Sequence, residues 1–175
     1  MTLIKKAIQQ DKKAQEALYN SFSPKMLGVC RRYVKDVHHA EELMLTGFLK
    51  VFKHLKSFKN EGSFEGWIRR IMVHTCISYL RKIDRLQVTD QTYVFDEMAT
   101  VNLENTTVED IQRLIDALPT GYKMVFNLYV IEGYKHSEIA KKLGITESTS
   151  KTQLLKARKR LQEKYTQQNK LSHGK

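Results

Sequence analysis

The stretch Ser137-Glu-Ile-Ala-Lys-Lys-Leu143, Gly144-Ile145, Thr146-Glu-Ser-Thr-Ser-Lys-Thr-Gln-Leu-Leu-Lys-Ala-Arg-Lys-Arg-Leu161 spells a short helix, a tight turn and a longer capped helix, in that order. Ile139, Ala140 and Leu143 recur at helical spacing and face Ile145, Leu154, Ala157 and Leu161, and the small Ala140 allows a close crossing. A helix-turn-helix is therefore expected, its second helix running from Glu147 to about Lys164. With Leu154, Ala157 and Leu161 turned inward, Ser148, Lys151, Thr152, Leu155, Lys156 and Lys159 point outward. That set suits a DNA major groove. Lysine reaches guanine acceptors, threonine donates or accepts, and leucine packs on a thymine methyl. Arg158, Lys159 and Arg160 suit phosphates, which hold without reading sequence.

Upstream of this motif, Thr107-Val-Glu-Asp110 has capping-box form and opens an apolar row at Val108, Ile111, Leu114, Ile115 and Leu118, ended by Pro119. A further helix carries Val125, Phe126, Leu128, Tyr129 and Ile131, with Gly133 placed to end it. Residues 107–175 thus read as one small helical domain with a basic C-terminal tail.

The first part of the chain is also helical in pattern. Ala14, Leu18 and Phe22 form one apolar row, and Met26, Cys30, Tyr33 and Val34 another, with Pro24 expected to break or kink the chain between them. Asp36 is placed to cap a third helix whose inner face is Val37, Ala40, Met44, Phe48, Val51 and Leu55. After the polar turn Lys59-Asn60-Glu61-Gly62, Ser63 caps a fourth helix to about Lys82, apolar at Trp67, Ile68, Ile71, Met72, Cys76 and Leu80. Phe58, Phe64 and Trp67 interleave with Arg69 and Arg70, a pattern fit to stack on unpaired bases and hold phosphates, although Trp67 at this spacing also fits a core.

The 175 residues carry 30 Lys and Arg against 19 Asp and Glu, a formal charge of +11 that calls for an anionic partner. Its distribution is uneven. Residues 1–82 hold 16 basic and 7 acidic side chains, residues 83–106 hold 1 and 5, and residues 107–175 hold 13 and 7. The middle stretch lacks helical periodicity and reads as a flexible acidic linker. The expected fold is all-α, with two small helical domains, 1–82 and 107–175, joined by 83–106. No run approaches the ~18 apolar residues of a membrane span, and Met1 to Lys13 has no apolar core or cleavage site, so a cytoplasmic protein is expected. Cys30 and Cys76, far apart and without metal-ligand spacing, read as buried thiols. Asp36, His38, His39 and His74 do not combine into a catalytic constellation, and no phosphate loop or carboxylate pair accompanies them. An enzyme, a cofactor and a metal are not expected. An operator-binding regulator would explain residues 107–165 equally well, but not the Phe48 to Ile71 constellation.

Taken together, the two blocks resemble the extracytoplasmic-function (group IV) sigma factors of bacterial RNA polymerase. The resemblance rests on Ala40-Glu-Glu-Leu43, Phe48-Leu-Lys-Val-Phe52 and Gly62-Ser-Phe-Glu-Gly-Trp-Ile-Arg-Arg-Ile71 in the first block. In the second it rests on Leu118-Pro119, Glu138-Ile-Ala140, Leu143-Gly-Ile145 and Lys156-Ala-Arg-Lys-Arg-Leu161. It implies a transcription initiation factor that directs core polymerase to promoters. Glu41, Glu42, Phe48, Lys50 and Lys53 would contribute to the polymerase contact. Phe58, Asn60, Phe64, Trp67, Arg69, Arg70 and His74 would read and open the minus-ten element. Ser148, Lys151, Thr152, Leu155, Lys156, Arg158 and Lys159 would read the minus-thirty-five element. Core polymerase and promoter DNA are the implied partners, and an anti-sigma factor is common in the family. The chain departs from the family pattern at Leu45-Thr46 in the clamp helix, His74 in the minus-ten helix, Lys135 at a cap position and Ser150 under the reading helix. The last two departures are expected to cost ~1 kcal/mol each.

Overall fold

A computed structural model of the chain describes residues 2–87 and 108–172, so most of the acidic stretch lies outside the described residues, as does the capping residue proposed at Thr107. Every regular element among the described residues is helical. They are α1 (Leu3–Ile8), α2 (Lys12–Arg31), α3 (Val37–His54), α4 (Phe64–Gln87), α5 (Val108–Asp116), α6 (Thr120–Phe126), α7 (His136–Leu143) and α8 (Glu147–Ser172). A 3-10 turn follows α3 at Leu55–Ser57, and a π-helical segment, Asn127–Ile131, continues α6. The chain divides into two compact units, Met1–Tyr79 and Leu80–Lys175.

In the first unit, α2 lays Ala14, Leu18, Met26, Val29 and Cys30 against Ala40, Leu43, Met44, Phe48 and Val51 of α3, all buried. Ile68, Met72, Val73, Cys76 and Ile77 of α4 complete the core. Burying side chains of this size contributes ~1.5–3 kcal/mol each, which is what offsets the ordering of three helices. Gly47 leaves room on α3 for Met72 of α4, because a Cβ there would overlap the Met72 thioether. The two thiols are buried, and the neighbouring Cys30 together with burial pushes the Cys76 thiol up. Cys76 is therefore no nucleophile in this state.

The expected caps are in place. Asp36 Oδ1 accepts from the His39 amide at 2.9 Å, and Ser63 Oγ from the Gly66 amide at 3.0 Å. Two expectations are corrected. Pro24 does not divide its segment, since α2 runs unbroken from Lys12 to Arg31 with the proline inside it. Leu18 before it and Met26, Val29 and Cys30 after it are buried on one face, and that shared burial outweighs the one backbone bond a proline forfeits. Val37, assigned to the inner face of α3, is 46% exposed because it occupies the first position of the helix, ahead of the packed turns.

In the second unit, Leu114, Ile115 and Leu118 pack with Met124, Val125 and Leu128, and an ion pair between Lys123 and Asp116 at 3.7 Å joins α6 to α5 inside this core. Ile111 departs from the expected row and is 51% exposed. It lines an apolar groove of about 470 Å³ with Leu114, Val130, Ile131, Leu161 and Tyr165, open to solvent between α5, the π segment and α8. The π segment ends at Ile131, and two residues on Gly133, with a φ of +74°, turns the chain as the sequence suggests.

Candidate nucleic-acid interface

The turn between α7 and α8 follows from three residues. Gly144 adopts φ +71° and returns its amide to the Ala140 carbonyl at 2.9 Å, and the Ile145 amide reaches the same oxygen at 3.1 Å. Thr146 Oγ1 then accepts from the Thr149 amide at 3.1 Å and starts α8. Ile139 and Ala140 of α7 and Leu154 and Ala157 of α8 are buried as expected, while Leu143, Ile145 and Leu161 are half-buried. The helix continues to Ser172, well past the Lys164 suggested by the pattern.

All seven residues assigned to the reading face of α8 are exposed. Ser148, Thr152, Leu155 and Lys159 form its central row, spaced by four, three and four, and Leu155 is 69% exposed. Lys151 and Arg158, seven apart, border the row on one side, and Lys156 borders it on the other. Lys151 pairs with Glu147 at 2.9 Å, and this contact, with the charges of Lys151 and then His136, holds the Glu147 carboxyl below its usual range. An exposed leucine amid lysines on a capped helix suits a groove that offers both acceptors and methyl groups.

The two cap and packing departures are accommodated in different ways. Lys135 has no acceptor in its side chain, but Glu138 reaches back to the Lys135 amide at 2.8 Å and supplies half of a capping box. Ser150 is fully buried, and its hydroxyl lies 2.9 Å from Nδ1 of His136. A polar partner therefore replaces the missing apolar contact. The sequence names both residues but gives no sign that they meet.

In the first unit, Phe58, Phe64 and Trp67 gather as expected and Phe22 of α2 joins them. Ring centroids lie 5.1 Å apart for Phe58 and Phe64, 5.8 Å for the stacked pair Phe64 and Trp67, and 5.5 Å for Phe22 and Phe64. Each ring is half-buried, between the core setting and the free platform that the sequence left open. The loop carrying them turns at Asn60, φ +56°, and Gly62, φ +86°, both in the left-handed region. Asn60, Arg70 and His74 are exposed, and Trp67, Arg70 and His74, spaced by three and four, share one outward stripe of α4. Arg69 lies off that stripe and is half-buried, so it is not grouped with them.

On α3, Glu41, Glu42, Lys50 and Lys53 are exposed, whereas Phe48 is 3% exposed and meets Tyr19 edge-on at 4.9 Å. Phe48 thus holds the helix down and does not offer a contact, which corrects its assignment to the polymerase face. Lys50 donates to Thr75 Oγ1 at 3.1 Å. The middle of the exposed face belongs to Leu49, 73% exposed, with Leu45, 49% exposed, one turn before it. Sequence reading flagged Leu45 only as a departure and passed over Leu49. Its signal was an apolar residue one position off the buried row.

Comparison with known proteins converges on one family. Residues 18–86 match the model of Sigma-70 region 2, and residues 108–161 match that of Sigma-70, region 4. The chain is 24% identical over 180 residues to the ECF RNA polymerase sigma-E factor of Haemophilus influenzae, covering 93% of each. It is 28% identical over 179 residues to the ECF RNA polymerase sigma factor SigW of Bacillus subtilis, covering 91% of this chain and 95% of that one. Among solved structures, the sigma factor RpoE from Bartonella quintana, crystallised with the anti-sigma factor NepR, shares the fold with a TM-score of 0.56 at 18% identity, over 86% of this chain and 96% of that one. With both sigma modules present in the expected order on helical units, the chain belongs to the extracytoplasmic-function sigma factors: it is a non-enzymatic initiation factor that binds core RNA polymerase and promoter DNA.

Proposed function

We propose that the reading face of α8 recognises the minus-thirty-five element, with Thr152, Leu155, Lys151 and Lys156 toward base edges, Ser148 beside them, and Arg158 and Lys159 on phosphates. The observation that carries this reading is Leu155, 69% exposed in the middle of a cationic row on a helix fixed by Thr146 and Leu154. The test is binding by the assembled holoenzyme to duplexes with single base changes in that element. Leu155→Ala should flatten the preference at one position by ~1–3 kcal/mol of discrimination. An unchanged preference in Leu155→Ala and in Lys151→Ala/Thr152→Ala would refute the assignment.

The stripe Trp67, Arg70 and His74, with Phe58, Phe64 and Asn60 beside it, is assigned to the minus-ten element. Opening DNA breaks stacking of ~1.4 kcal/mol per step, and stacking on an aromatic side chain returns ~1–3 kcal/mol per base. One or two half-buried rings thus trap a bubble without being able to open one alone. The exposed face of α3, now centred on Leu49 with Leu45, Glu41, Glu42 and Lys53, is assigned to core polymerase. The domain limits 1–82 and 107–175, the acidic linker 83–106 and action in the cytoplasm belong to the same reading. An anti-sigma factor completes the partner set by likeness to the Bartonella protein, and co-purification with the full chain would identify it.

A further inference from the structure

Beside the reading face lie Tyr129, His136 and Ser150, to which no role has been given. The His136 ring, at the start of α7, stacks on Tyr129 of the π segment with centroids 4.5 Å apart and planes 22° from parallel. The Arg158 guanidinium lies over the same tyrosine, 5.9 Å from its centroid. Ser150, fully buried, meets His136 at Nδ1. Nδ1 of the imidazole is therefore engaged at the crossing of α7 and α8, and on this half-buried residue Nε2 is the ring nitrogen left for an outside acceptor. We propose that Ser150 and Tyr129 are positioning residues that aim His136 Nε2–H at a phosphate of the minus-thirty-five duplex, beside the phosphate taken by Arg158.

The chemistry of the hydroxyl makes the arrangement work. Ser150 can donate to an unprotonated Nδ1, which leaves the proton of the neutral ring on Nε2, or accept from Nδ1–H when both nitrogens are protonated. In each case Nε2 is a donor, and a phosphate oxygen outside selects these states over the remaining tautomer. Alanine or valine at position 150 would offer Nδ1 no partner. Glu147, whose carboxyl feels the His136 charge, is paired with Lys151 at 2.9 Å. Tyr129, 36% exposed, contacts both His136 and Arg158 through its ring, so that both prongs share one mount. A phosphate contact adds affinity without sequence preference.

This inference rests on the assignment of α8 to the minus-thirty-five element, and the experiment separates the two. Holoenzyme made with the full chain is titrated with a minus-thirty-five duplex and with a scrambled duplex. His136→Phe keeps the stack and loses the donor; it should bind both duplexes about tenfold more weakly with their ratio unchanged. His136→Gln, whose amide nitrogen reaches toward the place of Nε2, should recover part of that loss. Ser150→Ala should weaken both duplexes severalfold and add nothing in the His136→Phe background. Wild-type affinity in His136→Phe, no recovery with glutamine, a loss confined to one duplex, or independent effects of the two positions would each overturn the proposal. Leu155→Ala should instead change the ratio; if it does not, the assignment of α8 has failed, whatever His136 does.

Discussion

Leu154 and Leu155 are neighbours in sequence with opposite duties. Leu154 is 5% exposed and Leu155 is 69% exposed. Leu154→Ala should cost ~2–5 kcal/mol in chemical denaturation of the full chain, from lost burial and the cavity left behind. Leu155→Ala should change stability by less than ~0.5 kcal/mol, its effect appearing only with DNA. Asp36 gives a prediction in pH. The His39 amide, and secondarily the His39 and His38 charges, lower its pKa from 3.8, so the folded state prefers the carboxylate more than the unfolded chain does. Its contribution is present above the unfolded value and is lost as pH falls through the folded one. Asp36→Asn should therefore melt below wild type at pH 6, with the gap closing as the melts are taken below about pH 3.8. At this scale much was legible. Asp36, Ser63, Thr146 and Gly144 announce their caps and turn because each residue type solves a local backbone problem. The Ser150 and His136 contact was not legible, since 14 residues separate them and only the crossing of two helices brings them together.

Among the elements, α3 shows how a period sets two faces. Rows three and four apart bury Ala40, Met44, Phe48 and Val51, and the next residue after Phe48 is thrown fully outward. Phe48→Ala should destabilise the fold by ~3–5 kcal/mol. Leu49→Ser should leave the melting temperature within about 1 °C of wild type by the ordinary smallness of surface effects, yet weaken capture of core polymerase in a pull-down titration. Gly47→Ala tests the α3–α4 approach. The overlap with Met72 costs ~1–3 kcal/mol, more than the ~1 kcal/mol that alanine adds in helix propensity, so a net loss near ~1 kcal/mol is expected. Helix positions were readable because apolar spacing encodes them. Pro24 was misread because a local rule cannot see a core on both sides of the proline, and the π segment because one extra residue in a turn leaves the apolar pattern almost intact.

For the molecule as a whole, the size of its parts decides how it acts. One exposed basic helix, a few rings and a net charge of +11 give attraction to any DNA and little discrimination on their own. The isolated chain should bind a duplex promoter weakly and with steep salt dependence, and core polymerase should convert that into selective binding in the same titration. Tight, selective binding by the free chain would contradict this. The two-module plan was legible because both motifs are local strings, while the face of α3 was not, since its centre emerged only from exposure. That face has a consequence for supply. On the assignment proposed for that face, a copy that finds no polymerase keeps Leu45 and Leu49 uncovered, 49% and 73% exposed. Surplus copies should then disappear faster than Leu49→Ser copies in a pulse-chase, and output should follow the number of vacant enzyme molecules rather than the rate at which this factor is made.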